Sequence, residues 1–287
     1  MMTVHEFWKG IGLMPEAVAE QERQILADAG RCERIYSRSR ILFKAEPEMF
    51  YRLVLELEQP QLWFLYLYSR MACERFGQYQ AVGLPENVFW DTFLDIRLWC
   101  ENCYRRTGIW GISEYGWFTR HFDGSLYRFG RLEFEYISSP WQFCRRGADG
   151  RTEVLVRAGD PVLNIHIPDG DRLSIEAVEN SLRQAEAFWG GGLPFVAHSW
   201  LLYPGLRELL PPDSNILQFQ ELFLVTETEI GPREPVERIF DFPSEEMDIR
   251  DYPEQTGLQR RAKTYLLSGG KLGCGLGVLL RGGSHRN

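Results

Sequence analysis

No stretch of this chain approaches the roughly eighteen uninterrupted apolar residues that a membrane-crossing helix needs. The longest apolar run, Leu62 to Tyr68, is seven residues. Positive charge is not in excess either: 32 Lys and Arg stand against 40 Asp and Glu, a formal net charge of −8. A phosphate-backbone binder needs a basic face, so the balance argues against a nucleic-acid partner. Cysteine is sparse and scattered, at positions 32, 73, 100, 103, 144 and 274, without the spacing of a disulfide framework. In a chain of this length such cysteines read as reduced thiols of a cytoplasmic protein. The opening residues, Met-Met-Thr-Val-His-Glu, contain neither a charged n-region nor an apolar h-region. The expectation is therefore a protein without a secretory leader and bound to no membrane.

What is present points to a folded, two-part molecule. At 287 residues the chain is about twice the usual domain length, and it is 44% hydrophobic with 9 Trp, 12 Tyr and 18 Phe. The spacing divides it into a helical domain over residues 1–122 and a strand-rich domain over 123–287. In the first, Pro15 opens a helix expected to end near Gly30, and Pro47 opens another that must stop before Pro60. Met49, Phe50, Leu53, Val54 and Leu57 form one stripe of that second helix. Residues 61–77 are apolar nearly all round, as suits the centre of a bundle.

Between Pro85 and Gly108, Val88, Phe89, Phe93, Ile96, Trp99, Cys100 and Cys103 share a face, with Asp91, Asp95, Glu101 and Arg105 opposite. Cys100 and Cys103 form a lone C-x-x-C, but zinc needs four ligands and no second pair is near. Both thiols lie on the apolar stripe and read as buried structural cysteines. No metal site is expected, and this half shows no evident chemistry.

From about residue 115 the period shortens to that of strands. In Arg131-Leu-Glu-Phe-Glu-Tyr136, Arg131, Glu133 and Glu135 share one face, and Leu132, Phe134 and Tyr136 the other. Residues 153–158 and 162–167 bracket Gly159-Asp160-Pro161 and read as a hairpin. A helix from Ser174 to Trp189 stops at Gly190-Gly191-Gly192, and Phe195 to Leu202 reads as a buried strand. Ser214 is placed to cap a helix running through Phe223. Residues 236–242 read as a strand, 256–267 as a helix and 273–280 as a Gly-rich last strand. The fold class is α+β, a mixed sheet with helices packed on both faces. Acidity is greater in the strand-rich part, where 18 Lys and Arg face 24 Asp and Glu against 14 and 16 before it. Such a field favours a cationic or amine-bearing acceptor.

The collected motifs resemble the GNAT superfamily of N-acyltransferases, in a bacterial branch with a helical N-terminal domain and a GNAT-like C-terminal domain. The residues that carry the resemblance are Asp91-Thr-Phe-Leu-Asp-Ile-Arg-Leu-Trp99, Tyr127-Arg-Phe-Gly-Arg-Leu-Glu-Phe-Glu135 and Leu163-Asn-Ile-His-Ile-Pro-Asp-Gly170. His198-Ser-Trp-Leu-Leu202 and Leu210-Pro-Pro-Asp-Ser-Asn-Ile216 extend it. The resemblance implies an acyl-CoA co-substrate, acetyl-CoA first among donors, and a small-molecule or peptide amine as acceptor. In that fold two neighbouring parallel strands splay and the pantetheine arm enters the gap. Here it would lie along Asn164, Ile165, His166 and Ile167, with residues 195–202 as the neighbouring strand. Gly170 and Arg172 would meet the pyrophosphate at the N-terminus of the next helix. Ser214 and Asn215 would flank the arm.

The chain departs from the family's Gln/Arg-x-x-Gly-x-Gly/Ala loop: Asp169-Gly170-Asp171-Arg172 has one glycine and two carboxylates. Like charges about 4 Å apart repel by roughly 4 kcal/mol at an effective dielectric near 20, so the acids must point to solvent if a pyrophosphate binds. This departure motivates a second reading, a GNAT-fold binding or regulatory protein without catalysis. For transfer, the candidate bases are Glu133, Glu135, His166 and His198, and Tyr203 or Tyr265 the candidate acid toward the leaving thiolate. A plainer reading makes Arg131, Glu133 and Glu135 an ion-pair ladder on an exposed face. His198 and Ser199 are adjacent on a strand, so they point to opposite faces and do not form a nucleophile–base pair.

Overall fold

The structure, a computed structural model, describes residues 2–147 and 149–279 and falls into two compact units, residues 1–133 and 134–287. The first is built on helices α1 (Val4–Gly10), α2 (Pro15–Gln24), α3 (Ala29–Ala45), α4 (Pro47–Leu55), α5 (Pro60–Ala81), α6 (Glu86–Thr107) and α7 (Thr119–Asp123). Strand β1 (Leu126–Phe129) follows. Proline sits in the first turn of α2, α4 and α5, where a missing N–H costs no helical bond. Gly108, at φ 73°, stops α6 in the left-handed conformation that glycine adopts without strain. Every residue from Leu62 to Ser69 of α5 is buried, as its all-round apolar surface requires. Around it pack Phe7, Trp8, Phe50, Phe89, Phe93 and Phe118, each fully buried.

The chain then alternates strands and helices. Strands β2 (Leu132–Ser138), β3 (Phe143–Arg146), β4 (Thr152–Val156) and β5 (Pro161–His166) lead to α8 (Ile175–Trp189) and β6 (Phe195–Ser199). Helix α9 (Asn215–Gln220), β7 (Phe223–Ile230), α10 (Glu234–Phe240), α11 (Gly257–Leu267) and β8 (Gly273–Leu279) complete it. Six strands form one sheet in the order β1-β2-β5-β6-β8-β7, and β3 and β4 form a separate pair. β5 and β6 run parallel, whereas β6–β8 and β8–β7 are antiparallel, so the sheet is mixed. Ser174 caps α8 through Ala177 N, and Thr256 closes a capping box with Gln259 on α11.

Several expected elements differ. The helix opened by Pro15 ends at Gln24, and Gly30 lies inside α3, whose N-cap is Asp28. Residues 153–158 and 162–167 are not a hairpin: β4 pairs with β3, and the intervening turn is held by Ser139, which bonds Asp160 and Gly159 through its backbone. Residues 236–242 are not a strand. Pro235 opens α10, and Val236, Ile239 and Phe240 sit at helical spacing until Asp241 turns left-handed at φ 56°. The helix capped by Ser214 stops at Gln220, and Phe223 begins β7, an edge strand whose exposed half hides the alternation of a buried face. β6 ends at Ser199 and turns into a 3-10 helix over Trp200–Leu202. The last strand runs from Gly273 to Leu279, and Leu280 lies outside the described residues.

Candidate active site

The register of β5 against β6 decides where a site can form. The two strands pair only at Leu163 with Phe195 and Asn164 with Val196. Beyond those residues no further pair between them is registered among the described residues, while β6 stays paired to β8 as far as Ser199 with Gly275. The seam of the sheet therefore opens after Asn164 and Val196.

Paired residues of neighbouring strands face the same side, so Val162, Asn164 and His166 share a face with Val196 and His198. Val162 and Val196 pack there with Phe143, Val156, Leu276 and Val278. The opposite side carries Phe134 and Phe195, edge to face at 5.6 Å. Past the apolar cluster the first face becomes polar. His166 Nε2 lies 2.8 Å from Glu135 Oε2 on β2, and the Asn164 amide nitrogen is 3.2 Å from the same ring atom. Glu135 and His166 are both mostly buried, with side chains 14% and 23% exposed. Asn164 is buried, and its Oδ1 has no hydrogen-bond partner. Glu135 is placed to orient the His166 ring and to stabilise its imidazolium form.

Ile167, half-buried, ends this segment, and Gly170 and Arg172 follow on an exposed loop before α8. Arg172 Nη2 donates to Asn215 Oδ1 at 2.8 Å, tying this loop to the start of α9. Ser214 caps that helix through Ile216 N.

The other candidates have contacts of their own. His198 is exposed, 4.0 Å from Glu229 and beside the Trp141 ring. Ser199, on the opposite face, is buried and caps the following 3-10 turn. Tyr203 and Tyr265 both pack against the core cluster of Leu206, Leu217, Phe240 and Ala262. The Tyr203 hydroxyl donates to the Lys271 carbonyl, and burial together with Tyr265 raises its pKa. Cys100 and Cys103 are buried on α6, and Cys103 Sγ meets Ser113 Oγ at 3.1 Å.

Glu133 is not on an exposed ladder: it is 1% exposed, in a cluster with Asp95 and His121. Asp95, expected on the polar side of its helix, is 2% exposed. It accepts from Trp117 Nε1 at 2.6 Å, and His121 Nε2 stands 3.3 Å away. Burial pushes the Asp95 carboxyl up, but His121 and the Trp117 N–H together bring it below the usual carboxylate range. Burial first, and then the charge of Asp95, push Glu133 well above that range. The signal in the sequence is a second stripe on α6: Thr92, Asp95 and Asn102 are all buried, at spacings of three and seven.

Residues 126–279 match the family model of the GNAT-like C-terminal domain, and residues 2–124 match that of the N-acyltransferase N-terminal domain. The chain belongs to the GNAT-like family. Solved structures similar to this GNAT-like chain include an acyltransferase in complex with decanoyl-CoA and teicoplanin, with 21% identity, 96% of this chain and 87% of that chain covered, and a TM-score of 0.76. An acyltransferase mutant in complex with octanoyl-CoA has the same identity, coverage and TM-score. An acyltransferase in complex with decanoyl-CoA covers 97% of this chain and 99% of its own at 20% identity, with a TM-score of 0.64. At these identities the likeness is one of fold. No curated protein matches. No described helix is long and apolar enough to cross a membrane.

Proposed function

We propose that this protein is an N-acyltransferase that moves an acyl group from acyl-CoA to the amine of a small molecule or peptide. The observation that carries the reading is the two-residue pairing of β5 with β6 beside His166 and Glu135. A slender thioester arm fits a seam whose strands have parted, and main-chain groups no longer spent on pairing can grip it. Asn164, Ile165, His166 and Ile167 line that arm. Arg172, Gly170 and the N-terminal amides of α8 take the pyrophosphate, with Ser214 and Asn215 alongside. Arg172 supplies the positive charge that Asp169 and Asp171 oppose, and its bond to Asn215 already holds it in place.

His166 acts as the base and Glu135 as the group that orients it. The amine nitrogen attacks the thioester carbonyl while the His166 ring accepts its proton, and Glu135 stabilises the resulting imidazolium. The tetrahedral intermediate collapses with loss of the CoA thiolate, which takes up the proton that the His166 imidazolium gives back. The end of β5–β6 pairing two residues before His166 supports this assignment. His198 and Glu133, each engaged elsewhere, have no part in it.

The structural neighbours are acyltransferases whose complexes contain octanoyl- or decanoyl-CoA, and one also contains teicoplanin. They support acyl-CoA as donor and extend the donors to be tried beyond acetyl-CoA. The test is CoA-thiol release from acetyl-, octanoyl- and decanoyl-CoA with a panel of primary amines and amine-bearing peptides. Thermal unfolding with each thioester runs beside it. Binding at a hundred times the dissociation constant stabilises by about 2.7 kcal/mol, a visible shift. Binding without turnover of any amine favours the non-catalytic reading, and neither binding nor release sinks both.

A further inference from the structure

The cluster in the first unit stands outside the chemistry just proposed and does not depend on it. Asp95 lies on α6, His121 on α7 and Glu133 near the start of β2, with relative exposures of 2%, 0% and 1%. One ligand-type atom from each lies within 4.8 Å of the other two. Buried polar atoms are almost always hydrogen-bonded. Here His121 Nδ1 and Glu133 Oε1 have no hydrogen-bond partner, and His121 Nε2 has only its 3.3 Å approach to Asp95. Asp95 is already oriented by the Trp117 indole N–H, as an outer partner orients a metal ligand.

The geometry is that of a shared ligand set. Asp95 Oδ2 stands 3.3 Å from His121 Nε2, and one divalent ion among the three side chains would meet both of them and the unpartnered Glu133 Oε1.

We propose that Asp95, His121 and Glu133 are the protein ligands of a divalent transition-metal site, zinc in the first place, that ties α6 and α7 to the start of β2. Nitrogen and carboxylate oxygen are ordinary zinc donors, and three protein ligands leave a fourth position for water. Ligand atoms around a tetrahedral zinc stand roughly 3.3–3.5 Å apart, since each bond is about 2.0–2.2 Å. Asp95 Oδ2 and His121 Nε2 already stand 3.3 Å apart, at that spacing.

The experiment is elemental analysis of the purified full chain after growth with zinc and after loading with zinc chloride and desalting. About one zinc per chain is expected, with a melting temperature that falls on chelation and recovers by several degrees when zinc returns. Cobalt(II) loaded into the stripped protein is expected to give visible bands that zinc abolishes. His121→Gln and Asp95→Asn are expected to lose stoichiometric metal. Because either variant can fail to fold, the wild-type chain decides. No bound zinc, no cobalt bands and no response of melting to zinc or chelator overturn the proposal. Retention of full metal by a folded His121→Gln variant overturns the ligand assignment.

Discussion

Glu135 and His166 meet at 2.8 Å between strands 31 residues apart in sequence, immediately past the point where β5 stops pairing with β6. This pairing of a carboxylate with an imidazole makes the first prediction. His166→Gln is expected to lower kcat by about 10²–10⁴-fold, because the base is lost while the acyl-CoA surface is kept. Glu135→Gln leaves the imidazole in place without its charge partner and is expected to cost less. Steady-state thiol release with a responsive amine checks both. Full activity of His166→Gln would sink the assignment.

Arg172 reaches Asn215 from an exposed loop, so its removal is expected to act on binding rather than on folding. Arg172→Ala should raise the dissociation constant for CoA about five- to twentyfold, the range for losing an exposed charge-assisted contact. Melting without ligand should be almost unchanged. Calorimetric titration with CoA reads the effect, and equal affinity would remove the pyrophosphate from this loop.

Gly275 tests the packing behind the seam. A Cβ there would fall 2.3 Å from the Leu202 carbonyl oxygen and 2.9 Å from the Leu202 Cβ, at a turn that cannot shift cheaply. Gly275→Ala is expected to destabilise by about 1–3 kcal/mol. Urea unfolding compared with wild type measures it. Close approach of the 3-10 turn after β6 thus explains the glycine at position 275.

Thiol accessibility gives a fourth outcome. Cys32, Cys73, Cys100, Cys103 and Cys274 are buried, and Cys144 is partly exposed. Burial pushes the Cys73 thiol to about 12 and, helped by Glu234, that of Cys274 to about 12. In the native chain a thiol reagent at neutral pH should therefore modify Cys144 rapidly and the other five only on unfolding. Fast labelling of Cys100 or Cys103, identified by peptide mapping, would contradict the buried structural reading of that pair.

The sites where sequence reasoning succeeded are those where neighbours along the chain decide the outcome. Pro47, Pro60 and Gly108 bound their helices because proline lacks an N–H and glycine tolerates positive φ. Asn164 and His166 share one face because strand side chains alternate. The misreadings have the complementary cause. Val236 to Phe242 is apolar enough for either period, and Pro235 in the first helical turn is the signal that decides for a helix. β3 is a strand of 4 residues, and β7 is half-exposed and pairs with β8, far along the chain.

By itself the sequence determined a helical segment ahead of a mixed α/β one, the positions of most helix ends, and the Asn164–His166 face. These follow from backbone dihedral preference and side-chain period, which act within a few residues. Only the tertiary structure decided that β5 parts from β6 after Asn164, that His166 meets Glu135, and that Asp95 and Glu133 are buried together with His121. Each of those depends on contacts between distant residues. There, withdrawal from water and the presence of a partner set the charge and reach of a group whose local pattern alone reads as exposed.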